Sequence, residues 1–286
     1  MSLITIPHFF IVFPPPFRIF TPMRNLNNQY IWITGASDGI GKELASQLAQ
    51  KGAHIILTAR NVEKLNQVKD SLAGNQHLVF PMDLLKTDEI PDKVKELLQK
   101  IPTVDILVNN AGISQRSLVK ETGIDVYRKI MELDYFSKVI LTKELLPHFL
   151  DKQAGQIVAI SSIAGKIGTP MRSAYCAAKH AIIGFMDSLR AESHNDNIRV
   201  LVVTPGSVKT NVSVNALEGD GKAHGVTDPA IANGLPVEEC CRRIVRAMEQ
   251  DKEELLIAKG KERMAAQMKR FFPSMIFKMV RTTKTT

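Results

Sequence analysis

Short apolar runs rich in β-branched residues alternate with longer segments of helical periodicity from Gln29 to Gln250. The runs predict strands at Tyr30–Thr34, His54–Thr58, Leu78–Pro81, Asp105–Val108, Gln156–Ile160 and Arg199–Val203. The segments between and after them predict helices at Gly39–Lys51, Glu63–Leu72, Glu89–Lys100, Gly123–Leu150, Ala174–Ser193 and Val237–Gln250. Continuous apolar strands separated by helices are typical of a parallel sheet covered on both faces. We therefore predict an α/β fold of the Rossmann type, a doubly wound parallel sheet with helices on both faces.

Residues 24–260 contain no repeat, linker or change of composition, so they predict a single domain. Residues 1–23 differ from it. Their apolar run Phe9–Phe13 is far shorter than the ~20 residues that a membrane-spanning helix needs, and three prolines follow it. We interpret this segment as a disordered extension or the product of an upstream start codon. The alternative is a weak anchor at a membrane surface.

The formal charge of +8 is concentrated at the carboxyl end. Residues 259–286 contain eight bases and one acid, whereas the body of the chain is close to neutral. This distribution favours an anionic surface or solubility as the role of the tail, and argues against nucleic acid as a partner. Residues 261–286 are predicted to form a basic amphipathic tail. It would either make peripheral membrane contact or pack against a subunit.

The three cysteines, Cys176, Cys240 and Cys241, are odd in number, and two of them are adjacent in the chain. No Cys-x-x-Cys pattern or Cys/His cluster indicates a metal, so we predict no metal site. Reduced thiols favour a cytoplasm-like compartment, with peripheral membrane association as the alternative.

The first strand leads into a glycine-rich turn and then a helix. The turn reads Thr34-Gly35-Ala36-Ser37-Asp38-Gly39-Ile40-Gly41. Glycines let the backbone approach a pyrophosphate, and the free N–H groups at a helix N-terminus attract it. A strand before and a helix after this turn favour nucleotide binding over a glycine turn without a ligand.

The second strand ends at Arg60, where an NAD site would place an acidic residue for the ribose hydroxyls. A guanidinium matches the geometry of a phosphate, so we predict NADP(H) as the cofactor. Ser37 would add a hydroxyl donor, whereas the charge of Asp38 opposes this assignment slightly. The alternative is an arginine that is merely exposed.

Tyr175 and Lys179 lie four residues apart in an Ala-rich segment, so they share one face of the predicted helix. A cation within about 4–6 Å favours the phenolate form of a tyrosine. The pair can therefore serve as a proton donor or acceptor near neutral pH. The spacing alone also fits a helix with a buried tyrosine and an exposed lysine.

Six motifs together resemble the short-chain dehydrogenase/reductase family over residues 28–258. They are Thr34-Gly-x-x-x-Gly-x-Gly41, Asp83-Leu84, Asn109-Asn110-Ala111-Gly112, Ser161-Ser162, Tyr175-x-x-x-Lys179 and Pro205-Gly206-x-x-x-Thr210. The details Ile160-Ser-Ser-Ile-Ala-Gly-Lys166 and Tyr135-Phe136 resemble the branch that contains 11β-hydroxysteroid dehydrogenases and related membrane-associated reductases.

The resemblance implies a role for each motif. Tyr175 would exchange a proton with the substrate oxygen, Lys179 would hold the nicotinamide ribose, and Ser162 would polarise the carbonyl. Asp83 and Asn110 would lie on the adenosine side of the cofactor. Pro205, Gly206 and Thr210 would lie beside the nicotinamide. Asn109-Asn110 also fits a structural turn that ties strands together, and Pro205-Gly206 fits an ordinary turn after a strand.

Asp134 stands where the family usually has an asparagine that holds a water linking the lysine to solvent. An aspartate accepts hydrogen bonds but cannot donate them, and near Lys179 it would add negative charge. We therefore predict a surviving relay with an altered pH profile.

The resemblance implies an NADP(H)-dependent oxidoreductase that interconverts a carbonyl and a secondary alcohol, with a small-molecule substrate. Residues 211–235 are predicted to form the loop that covers the substrate. The amphipathic character of the tail suggests that this substrate is apolar or lipid-like. Reduction of a 3-oxoacyl thioester, or nucleotide binding without turnover, are the alternatives. In the family the helices predicted at Gly123–Leu150 and Ala174–Ser193 form subunit contacts, so a homodimer or homotetramer is expected.

Overall fold

The computed structural model describes residues 23–282. Seven parallel strands form one sheet in the order β3-β2-β1-β4-β5-β6-β7. The strands are β1 (Tyr30–Thr34), β2 (His54–Thr58), β3 (Leu78–Val79), β4 (Ile106–Asn109), β5 (Gly155–Ile160), β6 (Ile198–Pro205) and β7 (Glu254–Ile257). The predicted doubly wound parallel sheet is confirmed.

Helices cover both faces of this sheet. They are α1 (Gly39–Gln50), α2 (Val62–Ser71), α3 (Ile90–Lys100), α4 (Ile124–Met131), α5 (Ser137–Lys152), α6 (Ser173–Glu192), α7 (Pro229–Ala232), α8 (Val237–Glu249), α9 (Gly260–Met268) and α10 (Pro273–Arg281). A π-helical turn, Glu132–Phe136, joins α4 to α5. The single helix predicted over Gly123–Leu150 is therefore interrupted, because one extra residue is accommodated in its middle.

The central strand β1 divides the core into two layers, because successive side chains of a strand point to opposite faces. Ile31 and Ile33 pack in the layer that contains α1 and α8. Trp32 points to the other face, into the layer that contains α3, α5 and α6, and its indole N–H donates to Thr58 Oγ1 at 2.8 Å. All three side chains are fully buried. This two-sided burial explains the unbroken apolar character of the strand.

β4, β5 and β6 begin or end one or two residues away from their predicted bounds, and two further strands also depart from the prediction. β3 ends at Val79 and not at Pro81, and Pro81 has no N–H to contribute to a sheet. β7 was not predicted, because its four residues begin with an exposed glutamate and gain their strand pairing only from β6.

The strand order reverses between β1 and β4. In open parallel sheets the ligand crevice lies at the carboxyl ends of the strands, at such a reversal.

The carboxyl-terminal helices lie against the body through one small apolar cluster, in which Ile276 of α10 and Ala265 of α9 pack on Ile167. Among the described residues, no helix is long and apolar enough to cross a membrane. The three cysteines are free and buried. The predicted extension over residues 1–23 lies outside the described residues, apart from its last position.

Candidate active site

A cavity of about 600 Å³ opens at the carboxyl ends of the strands beside the reversal point. Most of the predicted site residues line it. These are Gly35, Ser37, Asp38, Gly39, Ile40, Arg60, Asp83, Asn110, Ser162, Tyr175, Lys179, Pro205, Gly206 and Thr210. Gly41 and Asp134 do not line the cavity. The topology thus gathers residues from motifs up to 175 positions apart, from Gly35 to Thr210.

The glycine-rich turn after β1 leaves no room for a side chain at two of its positions. Gly35 has φ +65°, and a Cβ there would lie 2.9 Å from Ala111 Cα. A Cβ on Gly41 would lie 2.2 Å from the carbonyl oxygen of Gly35. The turn therefore needs glycine at both positions, and it ends at the N-terminus of α1. It offers a cradle of backbone N–H groups suited to an anion.

Asp38 is bonded on both carboxylate oxygens. Oδ1 accepts the N–H of Gly39 at 2.7 Å and caps α1, and Oδ2 accepts from Asn211 Nδ2 at 2.8 Å. The carboxylate thereby joins the glycine-rich turn to the first residue of the predicted substrate loop. Its charge is engaged in these contacts at the cavity wall.

Asn110 ties β1 to β4. Its Nδ2 donates to the carbonyl oxygens of Thr34 at 2.9 Å and Gly35 at 3.2 Å, and its backbone N–H donates to Thr34 Oγ1 at 3.0 Å. These bonds agree with the alternative interpretation of Asn109-Asn110 as a structural turn that ties strands together. The same residue still lines the cavity, so a role on the adenosine side stays a prediction.

Tyr175 and Lys179 lie on one face of α6, as their spacing predicted. Lys179 Nζ lies 5.3 Å from the centre of the Tyr175 ring. Ser162 follows β5 with an extended backbone, and its Oγ accepts the N–H of Ala164 at 3.2 Å. That oxygen retains its own O–H for donation. The neighbouring Ser161 instead donates to the carbonyl oxygen of Lys179 at 2.9 Å and anchors α6 to the strand end.

Behind Lys179 lies a buried carboxylate. Asp134 Oδ2 is 3.0 Å from Lys179 Nζ, an ion pair without the alignment of a hydrogen bond, and Oδ1 accepts the N–H of Ile113 at 2.8 Å. Burial alone would lower the pKa of Lys179, but Asp134 and Tyr175 outweigh it and raise that pKa to about 12. Lys179 is therefore an ammonium at neutral pH. The predicted proximity of Asp134 to Lys179 agrees with this geometry.

A second lysine lies in the same pocket. Lys138, on α5, is 1% exposed, and its Nζ lies 3.5 Å from the carbonyl oxygen of Ile160, which also accepts from Lys179 Nζ at 3.2 Å. This residue was not predicted from the sequence. It follows Asp134 by four residues and so shares its helix face, but that spacing gives no sign of Lys179 beside it.

The predicted substrate loop is fastened to the cavity wall by a buried ion pair. Asp228 Oδ2 accepts from Arg116 and, at 3.1 Å, from Arg172. Burial would raise the pKa of Asp228, but the bonds from Arg116 outweigh it and lower that pKa. His224, in the same loop, has Nδ1 3.0 Å from Glu218 Oε1 and Nε2 3.8 Å from Asp228 Oδ1. Chain spacing gives no indication of these contacts, because Arg116 and Asp228 are 112 residues apart.

A sequence model of the short chain dehydrogenase family matches residues 29–221, which include the glycine-rich turn, Ser162, Tyr175 and Lys179. The chain belongs to the short-chain dehydrogenase/reductase family. The family assignment made from the motifs is confirmed, and with it an oxidoreductase class whose fold binds a nicotinamide cofactor.

Relatives and solved structures agree with this assignment. Dehydrogenase/reductase SDR family member 7B of Mus musculus is 40% identical over 273 residues, with 92% of this chain and 84% of that protein covered. The SDR family protein 7-like dehydrogenase/reductase of Anopheles gambiae is 39% identical over 261 residues, with 89% and 82% covered.

A short-chain dehydrogenase structure from Streptomyces avermitilis superposes with a TM-score of 0.74 at 27% identity, covering 90% of this chain and 98% of that one. A short chain dehydrogenase/reductase from Burkholderia phymatum, in complex with NAD, superposes with a TM-score of 0.78. It is 18% identical, with 88% and 96% covered, and it supports the fold alone.

Proposed function

We propose that this short-chain dehydrogenase/reductase is an NADP(H)-dependent oxidoreductase that interconverts a carbonyl and a secondary alcohol. The observation that carries the proposal is the meeting of Ser162, Tyr175 and Lys179 at one cavity, beside a glycine cradle that fits a dinucleotide pyrophosphate. When bound, the nicotinamide supplies or accepts the hydride.

The side chains handle the proton. In the reductive direction the hydroxyl of Ser162 donates a hydrogen bond to the substrate carbonyl oxygen and polarises it. Tyr175 then transfers its phenolic proton to that oxygen as negative charge develops there. The ammonium of Lys179, 5.3 Å from the ring centre, stabilises the phenolate that remains. Oxidation of the alcohol reverses these transfers.

The cofactor would lie along the carboxyl ends of the strands. The turn from Gly35 to Gly41 and the N-terminus of α1 would hold the pyrophosphate. Asp83 and Asn110 would hold the adenosine side, and Pro205, Gly206 and Thr210 would lie beside the nicotinamide. Glycines at positions 35 and 41 fix the shape of this turn, because a Cβ at either position would meet neighbouring backbone.

Two cations at the adenosine end support NADP(H) over NAD(H). Arg60 and Lys64 both line the cavity, and Lys64 is held at the start of α2 by the cap of Asn61, whose Oδ1 accepts its N–H at 2.8 Å. A 2′-phosphate would pair with both charges. Lys64 was not among the predicted residues, although it follows Arg60 at a helical spacing.

We expect Arg60→Ala to weaken NADPH binding by about 10- to 100-fold, the usual value of a hydrogen bond to a charged group. NADH binding should change by less than about threefold, because NADH carries no 2′-phosphate for the guanidinium to bind. Quenching of protein fluorescence by each nucleotide measures both constants. Arg199→Ala is the matched control, since Arg199 is exposed on β6 and does not line the cavity. Equal losses for NADPH and NADH would refute the 2′-phosphate assignment.

Purified protein assayed with NADPH against ketosteroids, retinals and 3-oxoacyl thioesters tests the reaction. Turnover of a ketosteroid supports the proposal, and selective turnover of the thioester supports the alternative reductase. Selective turnover of a retinal would contradict the proposal, because an aldehyde is reduced to a primary alcohol. Tight NADPH binding without turnover on the whole panel would favour a nucleotide-binding protein without catalysis.

An exposed apolar patch on α9 and α10 supports an apolar or lipid-like substrate and peripheral membrane contact. It consists of Met264, Phe271, Phe272, Met275 and Phe277, which are 44–74% exposed. Its flanking cations are Lys261, Arg263, Lys269, Arg270, Lys278 and Arg281. Glu262 lines the cavity, so the helix that carries Met264 also contributes to the cavity wall. Aromatic side chains flanked by cations suit an anionic bilayer surface.

We expect the triple variant Phe271→Ser/Phe272→Ser/Phe277→Ser to bind anionic phosphatidylglycerol vesicles more than about 100-fold less tightly, given the apolar burial lost per phenyl ring. Vesicle co-sedimentation measures the partition. The control Val62→Ser/Val119→Ser/Ile124→Ser removes exposed apolar side chains elsewhere and should bind like the wild type. Unchanged vesicle binding of the phenylalanine variant would exclude this surface as the membrane contact.

The family resemblance further supports a homodimer or homotetramer formed through α4, α5 and α6.

A further inference from the structure

Three titratable side chains share one pocket behind the cavity wall, where Asp134 is 0% exposed, Lys138 1% and Lys179 3%. Asp134 and Lys138 come from one face of the helix that the π-turn interrupts, and Lys179 comes from α6. The pocket thus contains one carboxylate and two amines. A single carboxylate can balance only one ammonium, and a second unbalanced charge in a sealed site is unfavourable.

The contacts identify which amine carries the proton. Lys179 Nζ has the carboxylate of Asp134 at 3.0 Å and the carbonyl oxygen of Ile160 at 3.2 Å. Lys138 Nζ has the same carbonyl oxygen at 3.5 Å, so the two amines converge on one acceptor. The better-partnered amine is Lys179. An ammonium at Lys138 would have three N–H groups to place and one distant carbonyl to receive them.

We propose that Lys138 is a positioning residue whose uncharged amine accepts a hydrogen bond from the ammonium of Lys179 and holds it between Asp134 and Tyr175. In this arrangement Lys138 donates to Ile160 and offers its lone pair to Lys179. The carboxylate of Asp134, in the place of the family's usual asparagine, then has one ammonium as its counter-charge.

The electrostatics of the pocket point in the same direction. Burial and the neighbouring ammonium of Lys179 lower the pKa of Lys138 well below its ordinary value, against the opposing effect of Asp134. The groups facing Lys138 are Asp134 on its own helix and Lys179 on α6. The end of β5 presents to it the carbonyl oxygen of Ile160.

The charge state can be measured without any activity. In protein labelled at the lysine ε-carbon, one NMR signal should keep the chemical shift of a neutral amine at pH 8, while ordinary lysines titrate near pH ~10.4. That signal should vanish in Lys138→Gln. If the signal removed by Lys138→Gln instead titrates with the other lysines, the proposal is wrong. This result is independent of the proposed oxidoreductase activity.

The positioning role rests on that activity and is tested by two substitutions at one site. Lys138→Gln keeps an acceptor and a donor without a charge, so kcat should stay within about threefold of the wild type. Lys138→Met keeps the length but offers neither group, so kcat should fall by about tenfold or more. Equal kcat values for the two variants would show that the amine acts by packing alone.

The pH dependence of kcat for carbonyl reduction distinguishes an effect of charge at Lys138 from an effect of its position. Asp134→Asn removes a carboxylate beside Lys179, which leaves more net positive charge near Tyr175, so the alkaline limb should move to lower pH. Lys138→Gln removes no charge if the amine is neutral, so its alkaline limb should coincide with that of the wild type. A shift of that limb in Lys138→Gln would mean that Lys138 is an ammonium and would overturn the proposal. If neither the wild type nor any variant turns over a substrate, the proposed function fails while the NMR result still decides the charge state.

Discussion

Tyr175→Phe should lower carbonyl reduction by about 10³-fold or more, within the range typical of a lost general acid. The substitution removes one hydroxyl from the cavity and leaves the ring in place, so NADPH binding should change by less than about threefold. Ser162 and Lys179 remain, but neither occupies the position from which the phenol donates. Turnover is followed by NADPH absorbance, and binding by fluorescence quenching in the same sample.

Tyr30→Phe is the control for this variant. Tyr30 stands at the amino end of β1, whereas the cavity lies at the carboxyl ends of the strands, and its substitution should leave turnover within about twofold of the wild type. If Tyr175→Phe retained more than a tenth of the wild-type rate, the phenol could not be the proton donor. Loss of both binding and turnover would point to a folding defect, which the unfolding curve of the variant would reveal.

Asp228→Ala should destabilise the protein by about 3–5 kcal/mol, the usual cost of breaking a buried ion pair. Arg116 is 4% exposed, and without Asp228 it would keep its charge among Ser114 Oγ and the carbonyl oxygen of Gln115. Arg172 would lose its carboxylate at the same time. Urea unfolding, monitored by the fluorescence of Trp32, measures the free energy of unfolding.

Asp220→Ala provides a matched comparison within the same loop. Asp220 pairs with Lys222 at 2.8 Å, but the two side chains are 54% and 84% exposed, so the change should leave the free energy of unfolding nearly unchanged. Similar losses in the free energy of unfolding for Asp228→Ala and Asp220→Ala would contradict the expectation that the buried ion pair contributes more stability than the exposed one.

The contribution of Asp228 should also depend on pH with a definite sign. Its pKa is lowered from 3.8 in the folded protein, so the unfolded chain binds the proton more readily. The stabilisation is therefore fully present above that ordinary value and is lost as the pH falls through the lower folded pKa. Asp228→Asn should not show this loss of stability as the pH falls. Unfolding curves at a series of pH values would measure the difference.

The elements that sequence patterns predicted well are those whose structure is set locally. β1 and β2 were bounded correctly because their apolar runs are continuous and end at turn residues. The approach of Tyr175 to Lys179 followed from helical geometry alone. By contrast, β7 exists because β6 offers it hydrogen bonds, and the π-turn at Glu132–Phe136 has no counterpart in the spacing of apolar residues.

The parts of the site that patterns could not supply are contacts between distant segments. Asp134 and Lys179 are 45 positions apart in the chain, and Arg116 and Asp228 are 112 apart. Such pairs depend on how helices and loops pack on the sheet, which no local periodicity encodes. The family resemblance identified Asp134 as a departure, but the second amine beside it became apparent only from packing.

Glu262 reaches back from α9 to the turn after β6, where its Oε1 accepts from Ser207 Oγ at 2.7 Å and Oε2 accepts the N–H of Ser207 at 3.2 Å. The match to the family's sequence model ends at residue 221, well before this glutamate. The wall beside Pro205 and Gly206 is thus completed by a residue that lies outside the matched region. A chain shortened after β7 would keep Ser162, Tyr175 and Lys179 but lose the side of the cavity that Glu262 lines.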